Sequence, residues 1–179
     1  AVPGDTEIER FRRQYLGHEA SVKSVGFLFL LPGYLFSIYF VVGLIMSVGL
    51  LAQGGGMLMG GIEFLILFVI YGGFSALNLY VGHGLRRFWN GARMTASMLC
   101  AFGLLLSFLV FGLGLSQGDA IAAMIFGGIQ VLICGYVLYL LNSNKGQTVF
   151  SQDYQEAIRL TPHIKYKTSP LVWVLLLLV

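Results

Sequence analysis

The chain has 179 residues, 57% hydrophobic and 11% charged, with a formal net charge of +3. Soluble domains carry about a quarter charged residues, so this composition excludes an ordinary water-soluble globule and points to a membrane protein. The basic excess does not point to nucleic acid, because the cations fall in short segments between apolar runs, where they serve as topology and headgroup anchors.

The chain opens with a polar segment, and TEIERFRRQYLGHEASVKS (6–24) reads as a surface helix. Thr6 and Glu9 have the spacing of a capping box, and Ile8, Phe11 and Tyr15 recur near helical spacing beside Arg12 and Arg13. Residues 1–24 are expected to lie along the cytoplasmic membrane face, the apolar side in the interface and the arginines at anionic headgroups. A partner protein is the alternative occupant of that apolar side. A cleaved signal peptide fits poorly, because the first apolar run is too long and mostly polar residues precede it.

Four stretches with little or no charge follow: Val25 to Leu51, Gly61 to Tyr80, Thr95 to Leu115 and Ala120 to Leu141. Each reaches the roughly 20 residues that a helix needs to cross a hydrocarbon core about 30 Å thick. Pro32 and Gly33 predict a bend near the entrance of the first. The connection LAQGGGMLMGG is a flexible turn without chemistry. Glu63 stands just inside the second stretch, close enough to the turn to be hydrated; an ion or substrate contact is its alternative role. Asn78, near the other end, reads as a helix–helix or interface hydrogen bond. Gln130 lies near the bilayer midplane, so its amide must bond another helix, a carbonyl or a wet cavity. Small residues four apart (Ser97 and Ala101, Gly103 and Ser107, Ala123 and Gly127) permit close helix packing. Cys100 and Cys134 lie at comparable depths and read as reduced, buried thiols; they form neither a CxxC nor a metal-ligand set.

The loop VGHGLRRFWNGAR combines Arg86, Arg87, Trp89 and Arg93 as candidate interfacial anchors, rings at headgroup depth beside phosphate-seeking cations. His83 has no neighbouring ligand or nucleophile with which to do chemistry. After the fourth run, Ser151 is expected to cap a short helix through Leu160 that Pro162 stops. PHIKYKTSP then adds Lys165, Tyr166 and Lys167 as further anchors, and LVWVLLLLV (171–179), with Trp173, is expected to be the start of a fifth span or a half-inserted anchor.

All eleven Lys and Arg residues fall at one end of these runs, and the turns at 52–60 and 116–119 contain none. The positive-inside bias therefore predicts cytoplasmic termini and a cytoplasmic central loop. The expected fold is an all-α polytopic transmembrane helix bundle with four complete spans, a partial or truncated fifth segment and short cytoplasmic interfacial helices. Its parts are an amphipathic segment (1–24), a four-helix transmembrane domain (25–141), an interfacial segment (142–170) and the terminal run (171–179).

HEASVKSVG, VGHGLRRFWNGAR and FSQDYQEAIRLTPHIKYKTSP together resemble a pattern in uncharacterised bacterial multispan inner-membrane proteins. The resemblance covers most of the chain from His18 onward. It implies a bacterial inner-membrane setting and transfers no catalytic residue. The expected function is a non-enzymatic integral membrane module that self-associates or serves as a subunit of a membrane complex. The alternative is a small channel or transporter formed by an oligomer, and the third reading is a membrane-embedded enzyme. No cofactor, metal set or nucleic-acid partner is expected; the expected partners are anionic headgroups at the cytoplasmic face and a second copy or another membrane protein.

Overall fold

The computed structural model describes residues 6–52, 58–117 and 120–165. Among the described residues the chain is all-helical, without a strand: α1 (Glu7–Ala52), α2 (Leu58–Arg86), α3 (Asn90–Gln117), α4 (Ala120–Asn142), α5 (Asn144–Val149) and α6 (Gln152–Leu160). Among the described residues, three helices are long and apolar enough to cross a membrane, within Glu7–Gly49, Ile66–Arg86 and Asn90–Leu109.

At 46 residues, α1 is about 70 Å long, more than twice a hydrocarbon core. Its charged side chains all lie between Glu7 and Lys23, so only its later part is suited to lipid. α1 runs through both the polar segment and the first apolar run, and Pro32 stands inside it. Its N-terminus carries the expected capping box, with the Thr6 amide donating to Glu9 Oε2 at 2.8 Å and the Glu9 amide to Thr6 Oγ1 at 3.4 Å.

The chain divides into two compact units. The unit of residues 26–83 is built from the apolar part of α1 and most of α2. Small residues let the two backbones approach: a Cβ placed on Gly33 would stand 3.1 Å from the Leu79 backbone nitrogen. The Ser75 hydroxyl donates to the Gly33 carbonyl at 2.8 Å and lies 2.6 Å from the Ser37 hydroxyl. Phe36 stacks on Tyr71 and meets Phe74 edge-on. Helices in lipid gain no hydrophobic drive from one another, so packing and short hydrogen bonds such as these hold the pair.

The other unit comprises residues 1–25 and 84–179. Here α3 and α4 pack together, and Asn142 Nδ2 donates to Ser97 Oγ at 3.2 Å. α5 and α6 begin on serine caps, Ser143 accepting from the Gly146 amide and Ser151 from the Tyr154 amide. Large apolar side chains such as Ile38, Val69, Phe108 and Leu132 are exposed along α1 to α4. In water such faces would be unstable; a hydrocarbon surround or another helix suits them.

Candidate functional site

The densest polar chemistry is a buried cluster in the unit of residues 1–25 and 84–179. The Glu19 carboxylate, 0% exposed, accepts from Lys23 Nζ at 2.8 Å on one oxygen and from the Tyr154 hydroxyl at 3.0 Å on the other. Arg12 Nη2 adds a third contact at 3.5 Å. Arg12 Nη1 donates to the Thr161 carbonyl and, at 3.0 Å, to Thr161 Oγ1. Arg12 Nε is buried and has no hydrogen-bond partner among the described residues. One carboxylate thus stands between two cations, and the cluster ties the start of α1 to α6.

Aromatic rings close around it. Phe11, Tyr15 and Tyr154 meet pairwise edge-on at 5.3 to 6.0 Å. Phe88 contacts both Phe150 and Tyr154, and Lys23 Nζ lies 5.2 Å from the Phe88 ring centre. Phe88 ends α2 in a left-handed conformation, φ 57°. The Trp89 amide reaches the Gly84 carbonyl at 2.8 Å and the Phe88 amide reaches Leu85 at 3.1 Å, the paired bonds of a Schellman cap in which glycine usually takes the left-handed place. The buried ring and a Gln155 side chain donating to the Phe88 carbonyl at 3.1 Å hold Phe88 there instead.

Burial pushes the Glu19 carboxyl up, but the hydrogen bond and charge of Lys23, the Tyr154 hydroxyl and the Arg12 charge outweigh it, and the group lies below the usual carboxylate range. Burial and the Glu19 charge push the Tyr154 phenol up. At neutral pH the pair is therefore an anion and a neutral donor. Nearby, half-buried His18 lies 3.0 Å from the Leu140 carbonyl through Nε2, and burial lowers its pKa. His163 Nε2 lies 2.8 Å from Glu9 Oε1, a second link between the start of α1 and the residues after α6.

Several sequence-predicted residues fall differently from expectation. Arg12, expected among the headgroup anchors, is buried, because Glu19 and Thr161 supply the partners that lipid phosphate would have supplied. The side of α1 bearing Phe11 and Tyr15, expected to face lipid, is covered by Tyr154 of α6. Arg13, Arg86, Arg87, Trp89 and Lys165 are exposed, Arg87 lying over the Trp89 ring, whereas half-buried Arg93 lies over Phe150. Asn78 is buried and donates to the Phe74 carbonyl of its own helix at 2.8 Å. Gln130 is exposed and donates to Cys134 Sγ at 3.7 Å. The side chain of Glu63, together with Tyr166, Lys167 and Trp173, lies outside the described residues.

Sequence reasoning missed the Glu19, Lys23, Tyr154 and Thr161 set; its one readable signal was the i, i+4 spacing of Glu19 and Lys23. The cluster draws on all three patterned stretches singled out in the sequence: Glu19 and Lys23 from the first, Phe88 from the second, Phe150, Tyr154 and Thr161 from the third. Among the described residues no group of three or more His, Cys, Asp or Glu is placed to hold a metal ion. No protein-family model, curated protein or solved structure matches the chain.

Proposed function

We propose that the chain is a non-enzymatic integral membrane module that associates with a second copy of itself or with another membrane protein. The observation that carries this reading is Gln130: an amide near the middle of an apolar helix remains exposed, on the side of α4 that carries buried Gly127 and Cys134. An exposed amide at that depth in lipid is stabilised by a polar group or carbonyl on another helix. The buried cluster supports a structural rather than a catalytic task. Glu19 and Tyr154 are displaced away from neutrality in opposite directions, the reverse of what proton transfer near pH 7 requires.

The module has four spans in this reading, α4 being the fourth with 23 residues, and sits in a bacterial inner membrane with the basic segments cytoplasmic. The latched segments 6–24 and 143–161 then form its cytoplasmic face, where Arg86, Arg87 and Trp89 meet anionic headgroups.

Photobleaching-step counting on the labelled chain in lipid vesicles tests the reading. Two or more copies per spot are expected, falling to one in Gln130→Leu. A monomeric wild type that also captures no membrane protein from native membranes overturns it. Ion flux through vesicles, abolished by the same substitution, would instead assign Gln130 to an oligomeric pore.

A further inference from the structure

Between the start of α1 and α6 lies an open groove of about 450 Å³, within the unit of residues 1–25 and 84–179. α6 lends it one face, Asp153, Glu156, Ala157 and Leu160, which follow one another at i, i+3, i+4 and i+7. α1 lends Glu7, Ile8 and Phe11. Ile8 and Leu160 are exposed, large and apolar, while Ala157 contributes only a methyl group to the wall. From Asp153 to Leu160 the groove follows α6 for about 10 Å, two helical turns.

The charge of this lining has one sign. Among the described residues, Glu7, Asp153 and Glu156 are exposed and take part in no ion pair, and no Lys or Arg lines the groove. Glu7 and Asp153 stand in the first turns of their helices, where a carboxylate suits the helix dipole. Glu156 stands in the middle of α6 and has no such task. These carboxylates are not among any described group placed to hold a metal ion. An apolar floor between anionic walls matches an occupant that is apolar on one side and cationic beside it. Anionic headgroups are repelled by the same carboxylates. They are also distant: Lys23 is the last charged side chain before the apolar run of α1, and Phe11 and Glu7 lie about 18 to 24 Å along the helix from it, beyond two screening lengths of about 8 Å at physiological salt.

We propose that this groove docks a basic amphipathic helix of a cytoplasmic partner protein. Two turns of such a helix lay apolar side chains at i, i+3, i+4 and i+7 against Ile8, Phe11 and Leu160. Its Lys or Arg side chains flank that stripe and meet Glu7, Asp153 and Glu156 at the rim. The cytoplasmic setting rests on the reading proposed above; the groove itself lies apart from Gln130 and adds a second kind of partner.

The test uses the full chain in nanodiscs of uncharged phosphatidylcholine and a fluorescein-labelled amphipathic helical peptide of leucine and lysine, one leucine replaced by a benzophenone photocrosslinker. Anisotropy is expected to show saturable binding, one peptide per chain, above that of empty nanodiscs. The variant Glu7→Gln with Asp153→Asn and Glu156→Gln is expected to bind about tenfold more weakly, since three exposed ion pairs contribute a few-fold each. Ile8→Ser with Leu160→Ser is expected to weaken binding as well. Crosslinks mapped by mass spectrometry should fall within residues 7–11 and 153–160. Binding no greater than that of empty nanodiscs overturns the proposal, as does equal binding by the neutralised variant. Equal binding of a glutamate-for-lysine peptide, or of an isomer with its leucines spread around the helix, overturns it too. The crosslink map is read on the wild type alone, so crosslinks confined to other residues overturn the proposal even where a variant folds poorly. Peptide binding does not depend on copy number: a monomeric chain that binds the peptide leaves this groove standing while the Gln130 reading fails.

Discussion

The Tyr154 hydroxyl donates to Glu19 across 3.0 Å, joining two residues 135 positions apart, while Lys23 holds the other carboxylate oxygen at 2.8 Å. Both side chains of the first pair are fully buried, so neither has water to fall back on. Tyr154→Phe removes one hydrogen bond to a charged group, a loss of about 1.5–3 kcal/mol. Glu19→Gln is expected to cost more, about 3–5 kcal/mol, because it leaves Arg12 and Lys23 facing each other without their counter-charge. Thermal unfolding in detergent measures both, and trypsin cleavage after exposed Arg159 should quicken in the same order. Equal stability of Glu19→Gln and wild type would show that the cluster is not a latch.

The same groups set the pH dependence. The Glu19 carboxyl is lowered in the folded chain, so its contribution is full above the ordinary carboxylate range and is lost as the pH falls through the folded value. His18 is also lowered, by burial first; it folds neutral, and stability declines as the pH falls through the ordinary imidazole range. Tyr154 has the opposite sign: raised by burial and by the Glu19 charge, it contributes fully below about pH 10 and loses that contribution as the pH climbs through its folded value. Melting temperature against pH should therefore show a plateau around neutrality with two falling limbs. Tyr154→Phe removes the alkaline limb that belongs to this phenol, and His18→Gln flattens the onset of the acid limb.

Phe88 offers a reversal of the usual glycine rule. A non-glycine residue in left-handed backbone costs roughly 1–2 kcal/mol, and the buried ring offsets that cost through Phe150, Tyr154 and Lys23. Phe88→Ala loses the ring and keeps the strain, a destabilisation of about 3–5 kcal/mol. Phe88→Gly loses the ring but relieves the strain, so it should melt above Phe88→Ala, whereas in a helix interior glycine is the less stable of the two by about 1 kcal/mol. The opposite order would mean that the cap does not constrain this position.

The helices were legible in the sequence because an uncharged run of about 20 residues has few other ways to fold in lipid. The caps were legible for a similar reason: Thr6 with Glu9, and Ser151 before Tyr154, are local patterns whose partners lie three residues apart. The cluster was not legible, since Arg12 bonds a residue 149 positions away and nothing local in either segment names the other. Arg12 and Arg13 are adjacent and chemically alike, yet one is buried and the other exposed. Only the packing of α6 on α1 separates them. Phe88 was hidden because glycine is the residue that announces a left-handed cap, and here a buried ring takes its place.

Close approach in the unit of residues 26–83 rests on Gly33 and Ser75, again not visible as a pair because small residues are frequent throughout membrane helices. The Ser75 hydroxyl bonds the Gly33 carbonyl, and Ser37 joins it, so Ser75→Ala removes a small polar knot between α1 and α2. Such bonds in lipid are worth about 1 kcal/mol, since the separated helices find other partners. Gly33→Leu is different in kind: the added side chain meets the Leu79 backbone and the Leu79 side chain at 2.9 to 3.1 Å, so the helices must part. Overpacking of this sort costs about 1–3 kcal/mol and takes the serine bonds with it. A cysteine pair substituted for Ser37 and Ser75 reads this directly. It should form a crosslink readily under mild oxidation in the otherwise wild-type chain, and several-fold more slowly when Gly33→Leu is added. An unchanged rate in that triple variant would show that Gly33 does not set the distance between the two helices.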